Sequence, residues 1–237
     1  NKKEKCMLND VIAITNRKLC QRDFLEQIKR VCEAGPKAII LREKDLSQKE
    51  YTKLAEQVYN ITNIYNVRLI IHTHISVAEE LGLDTVHMSL QHFREYKEYM
   101  DGIADANNTS VTPDKSTDAS TSSTPARIDC SIYPADEPEA VSHIVLHKKI
   151  GCSIHSVEEA VEAQKLGASY ITAGHIYATD CKKGLAPRGL EFLKEVCDSV
   201  TIPVYAIGGI DVEGTRRDEV KMCGAAGSCI MSGMMRL

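Results

Sequence analysis

Two pairs of small residues stand where backbone groups can bind an anion. Gly208-Gly209 follows one short apolar run near the end of the chain, and Ser232-Gly233 follows the next. Glycine has no Cβ, so its backbone can approach a ligand closely. In parallel α/β barrels, the loops after the last two strands often hold a phosphate on such N–H groups. The spacing therefore favours a phosphate site, although tight strand-to-loop turns would use the same residues.

His155 is the candidate for proton transfer. It stands after the apolar run Lys149–Ser153 and before Ser156, which with Glu159 has the spacing of a helix capping box. A histidine there would lie at the edge of the sheet where parallel α/β proteins do their chemistry. A neutral imidazole can both accept and donate a proton near neutral pH. A structural or simply exposed histidine is the alternative, and the residues alone favour neither.

Basic side chains follow two other predicted strands. Arg42 and Lys44 come after Ala38–Leu41 with a spacing of two, so both side chains leave an extended strand on the same side. Thr179 and Lys182 lie on the loop after the sixth apolar run. Each cation can be ordinary solvated surface charge. Together with the glycine pairs, however, they predict an anionic small molecule bound between strand ends.

Histidines are frequent near the predicted strand ends, which raises the question of a metal. None has H-x-x-x-H or H-E-x-x-H spacing on a helix, and carboxylates are scarce beside them. We therefore expect no metal and no other cofactor. The histidines are His72, His74, His87 and His175.

Apolar runs alternate with helical patterns about eight times, which is typical of a parallel sheet with helical crossovers. Eight units predict a closed (β/α)8 TIM barrel, a single domain over residues 1–237; an open doubly wound sheet is the alternative. Capping boxes at Ser47 with Glu50 and at Ser76 with Glu79 predict two helix starts. The predicted strands are Val11–Thr15, Ala38–Leu41, Arg68–Ile71, Asp84–Met88, Lys149–Ser153, Tyr170–Gly174, Pro203–Ile207 and Ser228–Met231.

Two irregularities interrupt this alternation. Asp101–Ala126 is rich in Ser, Thr, Asp and Asn with almost nothing apolar to bury, so we expect a disordered insertion after the fourth strand. The chain ends at Leu237, a few residues past the eighth strand, so a short or missing last helix is expected. The first and eighth strands then need another cover, which a homodimer can supply.

Composition narrows the class of protein. A net charge of -4 and a pI near 6.1 give no basic footprint for nucleic acid. Nine cysteines, an odd number without a C-x-x-C pair, argue against a disulfide framework and suit a reducing cytosol. No apolar run is long enough to span a membrane, and the lysine-rich start lacks the apolar segment of a signal peptide. We expect a cytoplasmic protein that acts on a small molecule, without nucleic-acid or membrane partners.

Three motifs together resemble the thiamine phosphate synthase/TenI superfamily, whose fold is a (β/α)8 barrel. They are L-R-E-K at 41–44, G-H-I-Y-A-T at 174–179 with Lys182, and I-P-V-Y-A-I-G-G-I at 202–210. The resemblance covers nearly the whole chain apart from the polar insertion and the end of the chain. It implies one of two activities.

The synthase branch joins a hydroxymethylpyrimidine diphosphate to a thiazole phosphate. The resemblance implies Mg²⁺ held by one Asp after the third strand and another after the fourth. This chain has His72-Thr73 at the first place and no Asp over residues 87–92, so both hard oxygen ligands that Mg²⁺ prefers are absent. Asp180 also stands where the synthase loop usually carries a hydroxyl, and its charge would repel a diphosphate. The synthase is therefore the alternative.

The TenI-type thiazole tautomerase is the main prediction, because its loop pattern matches residues 174–185 and its S-(V/I)-H-S-x-E-E-A segment matches residues 153–160. The resemblance implies an isomerase of thiamine biosynthesis that converts a carboxythiazole phosphate to its aromatic form, with His155 moving the proton. A non-catalytic relative that binds thiazole phosphate is a further alternative. The implied substrate-binding residues are Arg42, Lys44, Thr179, Lys182, Gly208, Gly209, Ser232 and Gly233.

Overall fold

The computed structural model is a closed barrel of eight parallel strands. It describes residues 8–108 and 148–237, without the side chains of residues 103–108. Each strand pairs with the next along the chain, and the first pairs with the eighth, so the predicted (β/α)8 barrel is confirmed and the open sheet is excluded. The strands are β1 (Val11–Ile14), β2 (Ala38–Leu41), β3 (Arg68–His72), β4 (Thr85–Ser89), β5 (Lys149–Ile154), β6 (Tyr170–Gly174), β7 (Val204–Ile207) and β8 (Gly227–Ile230).

Helices follow the strands and pack on the outside of the barrel. Among the described residues there are seven α-helices, and none of them is long and apolar enough to cross a membrane. They are α1 (Phe24–Ala34), α2 (Gln48–Ile64), α3 (Ile75–Glu80), α4 (Leu90–Asn108), α5 (Val157–Lys165), α6 (Gly189–Ser199) and α7 (Arg216–Met222).

The strands are buried on both faces, which gives the core two layers. Side chains alternate along a strand, so Ile12 and Ile14 point into the barrel while Val11 and Ala13 belong to the outer layer between strands and helices. Burial on both faces explains why the strands read as short apolar runs in the sequence. The inner layer comprises Ile12, Ile14, Ala38, Ile40, Ile70, Tyr170, Tyr205 and Cys229.

Side-chain caps begin some of the helices, and one predicted cap is wrong. Ser47 and Glu50 form the expected capping box at the start of α2. The box predicted at Ser76 does not form, because α3 begins at Ile75 with His74 in the cap position. A tight turn after β3 brings the chain into the helix two residues early, so Ser76 lies inside the first turn.

The predicted disordered insertion begins inside a helix. Asp101–Asn108 forms the last part of α4, so this part of the prediction is wrong; residues 109–126 lie outside the described residues. α4 was not predicted from the sequence. Its buried face is carried by Leu90, Phe93 and Tyr96, spaced three residues apart. Tyr99 and Met100 continue this face, and the polar residues that follow obscured the helical periodicity.

After β8 the chain forms a 3-10 turn, Met234–Arg236, in line with the predicted short last helix. Met234 and Met235 are fully buried. The side-chain amide of Gln27 in α1 donates a hydrogen bond to the carbonyl of Met234 at 2.7 Å. This turn therefore packs on α1 and supplies apolar cover at this side of the barrel.

Candidate active site

The mouth of the barrel, at the C-terminal ends of the strands, collects the predicted basic residues. Ile40 points into the barrel, and the same alternation along the chain turns Arg42 and Lys44 toward the mouth. Lys182 lies on the 3-10 turn that follows β6. The Lys44 side chain is exposed, and its pKa is lowered by partial loss of hydration and further by the positive charges of Arg42 and Lys182. Lys44 is therefore close enough to both residues to be repelled by them, and the three are here called the cation cluster.

Glu43 follows Arg42 in sequence but points the other way. Its carboxylate accepts hydrogen bonds from the Thr15 hydroxyl at 2.7 Å and the Arg17 guanidinium at 3.1 Å, and the residue is only 4% exposed. The Thr15 hydroxyl oxygen accepts from the backbone N–H of Arg42 at 2.9 Å, which fixes the end of β2. Asp45 is also paired with Arg17, at 2.7 Å. In residues 8–108 and 148–237, no carboxylate forms an ion pair with the cation cluster.

Two neutral histidines lie inside the barrel near Arg42. The ring centroids of His72 and His87 are 6.0 Å apart. Burial lowers the pKa of His87 to about 3 and that of His72 well below its usual value, and the charge of Arg42 lowers both further. His87 was predicted at a strand end, but it lies in the middle of β4, because that strand continues to Ser89. Both imidazoles are therefore uncharged near neutral pH.

A hydrogen-bonded network holds His87 in the barrel interior. Its Nδ1 lies 3.0 Å from the Tyr170 hydroxyl and its Nε2 lies 2.8 Å from Oγ of Ser153. The Thr172 hydroxyl donates to Ser153 at 3.1 Å. These partners of His87 were not predicted from the sequence, although polar residues at alternate positions of β5 and β6 were the available signal. The network forms a floor of satisfied polar groups below the mouth.

Thr73 is strained, and it holds the ring of His72. Its φ is 72°, in the left-handed region that β-branched residues rarely adopt and that costs about 1–3 kcal/mol. Its hydroxyl lies 2.8 Å from Nδ1 of His72, and its backbone N–H donates to the carbonyl of His87 at 2.9 Å. Strain of this kind directly at the end of β3 indicates that the position of His72 is constrained.

The first glycine pair lies at the end of β7. Gly208 and Gly209 have φ values of 101° and 67°. A Cβ on Gly208 would lie 2.3 Å from Cβ of His175, and a Cβ on Gly209 would lie 2.5 Å from the carbonyl oxygen of Ala178. Only glycine therefore fits these positions without a shift. The backbone N–H groups of both find no acceptor within the described part of the chain.

The loop after β6 connects the second small-residue pair to the cation cluster. Oγ of Ser232, which precedes Gly233 after β8, lies 4.0 Å from Sγ of Cys181. Oγ1 of Thr179 accepts a long hydrogen bond, 3.5 Å, from the backbone N–H of Cys181 and so caps the 3-10 turn that carries Lys182. This loop thus extends over the mouth. Gly208, Gly209, Ser232 and Gly233 are here called the glycine side.

His155 is exposed at the end of β5, next to the end of β6. Its Nδ1 lies 3.1 Å from the carbonyl oxygen of Gly174, which also accepts a hydrogen bond from Nε of Arg188 at 2.9 Å. Its backbone N–H donates to Glu159 at 2.5 Å. The Glu159 carboxylate is engaged there, and Ser156 caps α5 through its own hydroxyl. His155 therefore stands on the rim between β5 and β6.

The side chains at the ends of β3 and β4 do not fit a magnesium ion. They are His72, Thr73 and Ser89, whereas proteins bind Mg²⁺ through carboxylates together with substrate phosphates. Over the described ranges, no group of three or more His, Cys, Asp or Glu side chains is placed to hold a metal ion. The metal that the synthase resemblance implies thus lacks a matching ligand set, and no reaction step is assigned to it.

Several known proteins that are similar to this chain over most of its length are named thiamine-phosphate synthase. The sequence model of the thiamine monophosphate synthase family matches residues 11–97 and 134–234. The thiamine-phosphate synthase of Pyrococcus horikoshii is 29% identical over 236 residues, 99% of this chain and 89% of that protein. That of Clostridium acetobutylicum is 30% identical over 225 residues, 94% of this chain and 85% of that protein.

A solved structure gives the same result. Thiamine phosphate pyrophosphorylase from Pyrococcus furiosus superposes with a TM-score of 0.65 at 27% sequence identity. The match covers 99% of this chain and 90% of that one.

These findings correct the predicted activity. The prediction of a TenI-type thiazole tautomerase, an isomerase, is wrong, because the similar proteins carry the name of the synthase. The proton transfer assigned to His155 is withdrawn with it. The broader predictions of an enzyme and of the superfamily agree with the comparisons. The matched sequence model spans most of the barrel, and the chain belongs to the thiamine monophosphate synthase family.

Proposed function

We propose that this protein is a thiamine-phosphate synthase, which joins a pyrimidine diphosphate to a thiazole phosphate. The names of its relatives support this reaction. The observation that carries the proposal is the cation cluster, whose neighbouring carboxylates are turned away and paired elsewhere. Both substrates of such an enzyme are anions, and the mouth offers positive charge together with free backbone donors.

In this proposal the diphosphate binds to Arg42, Lys44 and Lys182. Arg42 supplies a planar guanidinium that can bind two phosphate oxygens at once, and the lysines supply compact charges. The mutual repulsion of the three cations in the free protein would be relieved when an anion binds between them. Thr179 acts indirectly, because its hydroxyl caps the turn that carries Lys182.

The phosphate of the thiazole binds to the glycine side. The backbone N–H groups of Gly208 and Gly209 and the hydroxyl of Ser232 are donors that suit a phosphate monoester. The missing Cβ atoms let Gly208 and Gly209 pack against His175 and Ala178 with positive φ, and this conformation sets the direction of their N–H groups. Binding energy from this remote group would hold the thiazole ring in one orientation for the reaction.

The reaction itself is a displacement. The lone pair of the thiazole ring nitrogen forms a bond to the methylene carbon of the pyrimidine, while the C–O bond breaks and its electron pair leaves with the diphosphate. Negative charge grows on the leaving group, and prepositioned cations stabilise that change. The neutral His72 and His87 keep the floor of the mouth uncharged, so no buried counter-charge weakens this effect.

An enzyme assay tests the proposal. Purified protein is incubated with both substrates, and thiamine phosphate is measured for wild type, Arg42→Ala and Lys183→Ala. We expect product from wild type, a loss of about 10²–10³ in kcat/KM for Arg42→Ala, and little change for Lys183→Ala. Lys183 is a matched control, because it is exposed and paired with Asp180 at 3.6 Å. No product from wild type, or equal rates for the two variants, would contradict the proposal.

A further inference from the structure

The leaving diphosphate needs counter-charge, and the described part of the chain offers positive side chains but no metal ligand set. When a diphosphate departs, enzymes commonly neutralise it with Mg²⁺ held by carboxylates. At the ends of β3 and β4, this barrel instead presents the imidazole of His72 and the hydroxyls of Thr73 and Ser89. Imidazole and hydroxyl groups are poor replacements for the hard anionic ligands of Mg²⁺.

The carboxylates near the mouth are engaged in other contacts. Glu43 is held by Thr15 and Arg17, and Asp45 is held by Arg17 as well. Asp180 pairs with Lys183 at 3.6 Å. Recruiting any of these as a metal ligand would break an existing ion pair. For Glu43 it would also remove the acceptor of the buried Thr15 hydroxyl.

The position of His72 also disfavours a cation. Its ring is partly buried, lies 2.8 Å at Nδ1 from the Thr73 hydroxyl, and is in the field of Arg42 and Lys44. A divalent ion placed at the end of β3 would meet the same two positive charges. Coulomb repulsion of this kind is strong in a partly dehydrated site. The charges that would attract a diphosphate therefore repel a metal at the neighbouring position.

We propose that this protein binds and releases diphosphate without a divalent metal, with Arg42, Lys44 and Lys182 supplying the counter-charge. The inference rests on the proposed synthase function and departs from magnesium-assisted transfer. In the step concerned, the C–N bond forms from the nitrogen lone pair and the C–O electron pair leaves on the diphosphate. The cation cluster stabilises the charge that appears. This displacement step requires no oxidant, reductant or additional proton.

The test is a calorimetric titration of the full-length protein with inorganic pyrophosphate, once in EDTA and once with excess Mg²⁺. We expect binding in EDTA that is at least as tight as in Mg²⁺, because Mg²⁺ sequesters free pyrophosphate in solution. In EDTA, Arg42→Ala and Lys182→Ala should each weaken binding about tenfold or more, and Lys183→Ala should not. Binding that appears only with Mg²⁺, or equal binding by all the variants, would overturn the inference.

Turnover in the same two buffers separates this inference from the proposed function. Thiamine phosphate formation that persists in EDTA supports both. Formation that is lost in EDTA and restored by Mg²⁺ keeps the synthase proposal but overturns metal independence. No formation in either buffer overturns the synthase proposal, and with it the transfer step; the pyrophosphate titration then decides whether the anion site alone is metal-free.

Discussion

The cation cluster and the glycine side occupy the same mouth but are built in different ways. The cation cluster consists of side chains whose backbone positions many residues could occupy. The glycine side depends on backbone conformation, with φ values of 101° and 67° and no room for a Cβ at Gly208 or Gly209. The first attracts anions by charge, and the second by directed N–H groups. Substitutions should therefore affect binding alone in the first region, and binding together with folding in the second.

The double variant Arg42→Ala/Lys182→Ala should have the largest effect on binding and almost none on stability. It removes two of the three charges, so pyrophosphate affinity should fall by about 10²–10³. The melting temperature should stay the same or rise slightly, because both lost charges repel Lys44 in the free protein. Calorimetric titration and a thermal melt measure the two quantities. A large drop in melting temperature with unchanged affinity would show that the cation cluster supports folding and does not bind pyrophosphate.

On the glycine side, Gly208→Ala should reduce stability clearly more than Gly214→Ala. Both residues have positive φ, 101° and 97°, so both substitutions carry the cost of about 1 kcal/mol for that conformation. Only Gly208 would place its Cβ against His175, whereas Gly214 has nothing within 4 Å. The contact adds about 1–3 kcal/mol. Denaturant unfolding of the two variants checks the difference, and equal losses would show that the close approach is unimportant.

The buried His87 network lies below both regions, and it should make the free energy of unfolding decrease as the pH is lowered. The pKa of His87 in the folded protein is about 3, below its unfolded value, so the folded state binds fewer protons between these two values. Its contribution is complete above about pH 6.5 and is lost as pH falls toward 3, at up to about 1.4 kcal/mol per pH unit.

The variant His87→Gln provides the control for this prediction. Glutamine does not titrate, so the curve of unfolding free energy against pH should be flatter than for wild type. The comparison of slopes holds even if the variant is less stable overall. Parallel curves for the two proteins would contradict a neutral, buried His87.

The smallest expected effect lies within the cation cluster. Removing the charge in Lys182→Ala should raise the pKa of Lys44 toward its ordinary value, because one of the two positive neighbours that lower it is gone. The pKa of Lys44 can be followed by NMR titration of the labelled side chain. Lys183→Ala should leave it unchanged. An equal shift in both variants would mean that Lys182 does not face Lys44.

Much of the fold could be predicted from the sequence, because strands buried on both faces leave clear apolar runs. The shared direction of Arg42 and Lys44, expected from strand geometry, stays a prediction, because β2 ends at Leu41 before both residues. The interior network of His87, Tyr170 and Ser153 was missed because its partners meet only when distant strands close the barrel.

The activity was predicted wrongly for a related reason. The loop at residues 174–185 and the segment around His155 matched one branch of the superfamily, while whole-chain similarity favours the other. Short motifs at a barrel mouth indicate which strands and loops surround the site. They do not determine which bond is made there.

The most direct test of the account is a crystal structure of the protein with pyrophosphate and a thiazole phosphate, grown in EDTA. We predict pyrophosphate in contact with Arg42, Lys44 and Lys182, and the phosphate monoester on the N–H groups of Gly208 and Gly209. Both anions on one side of the mouth, the reverse assignment, or pyrophosphate bound away from the cation cluster would contradict it.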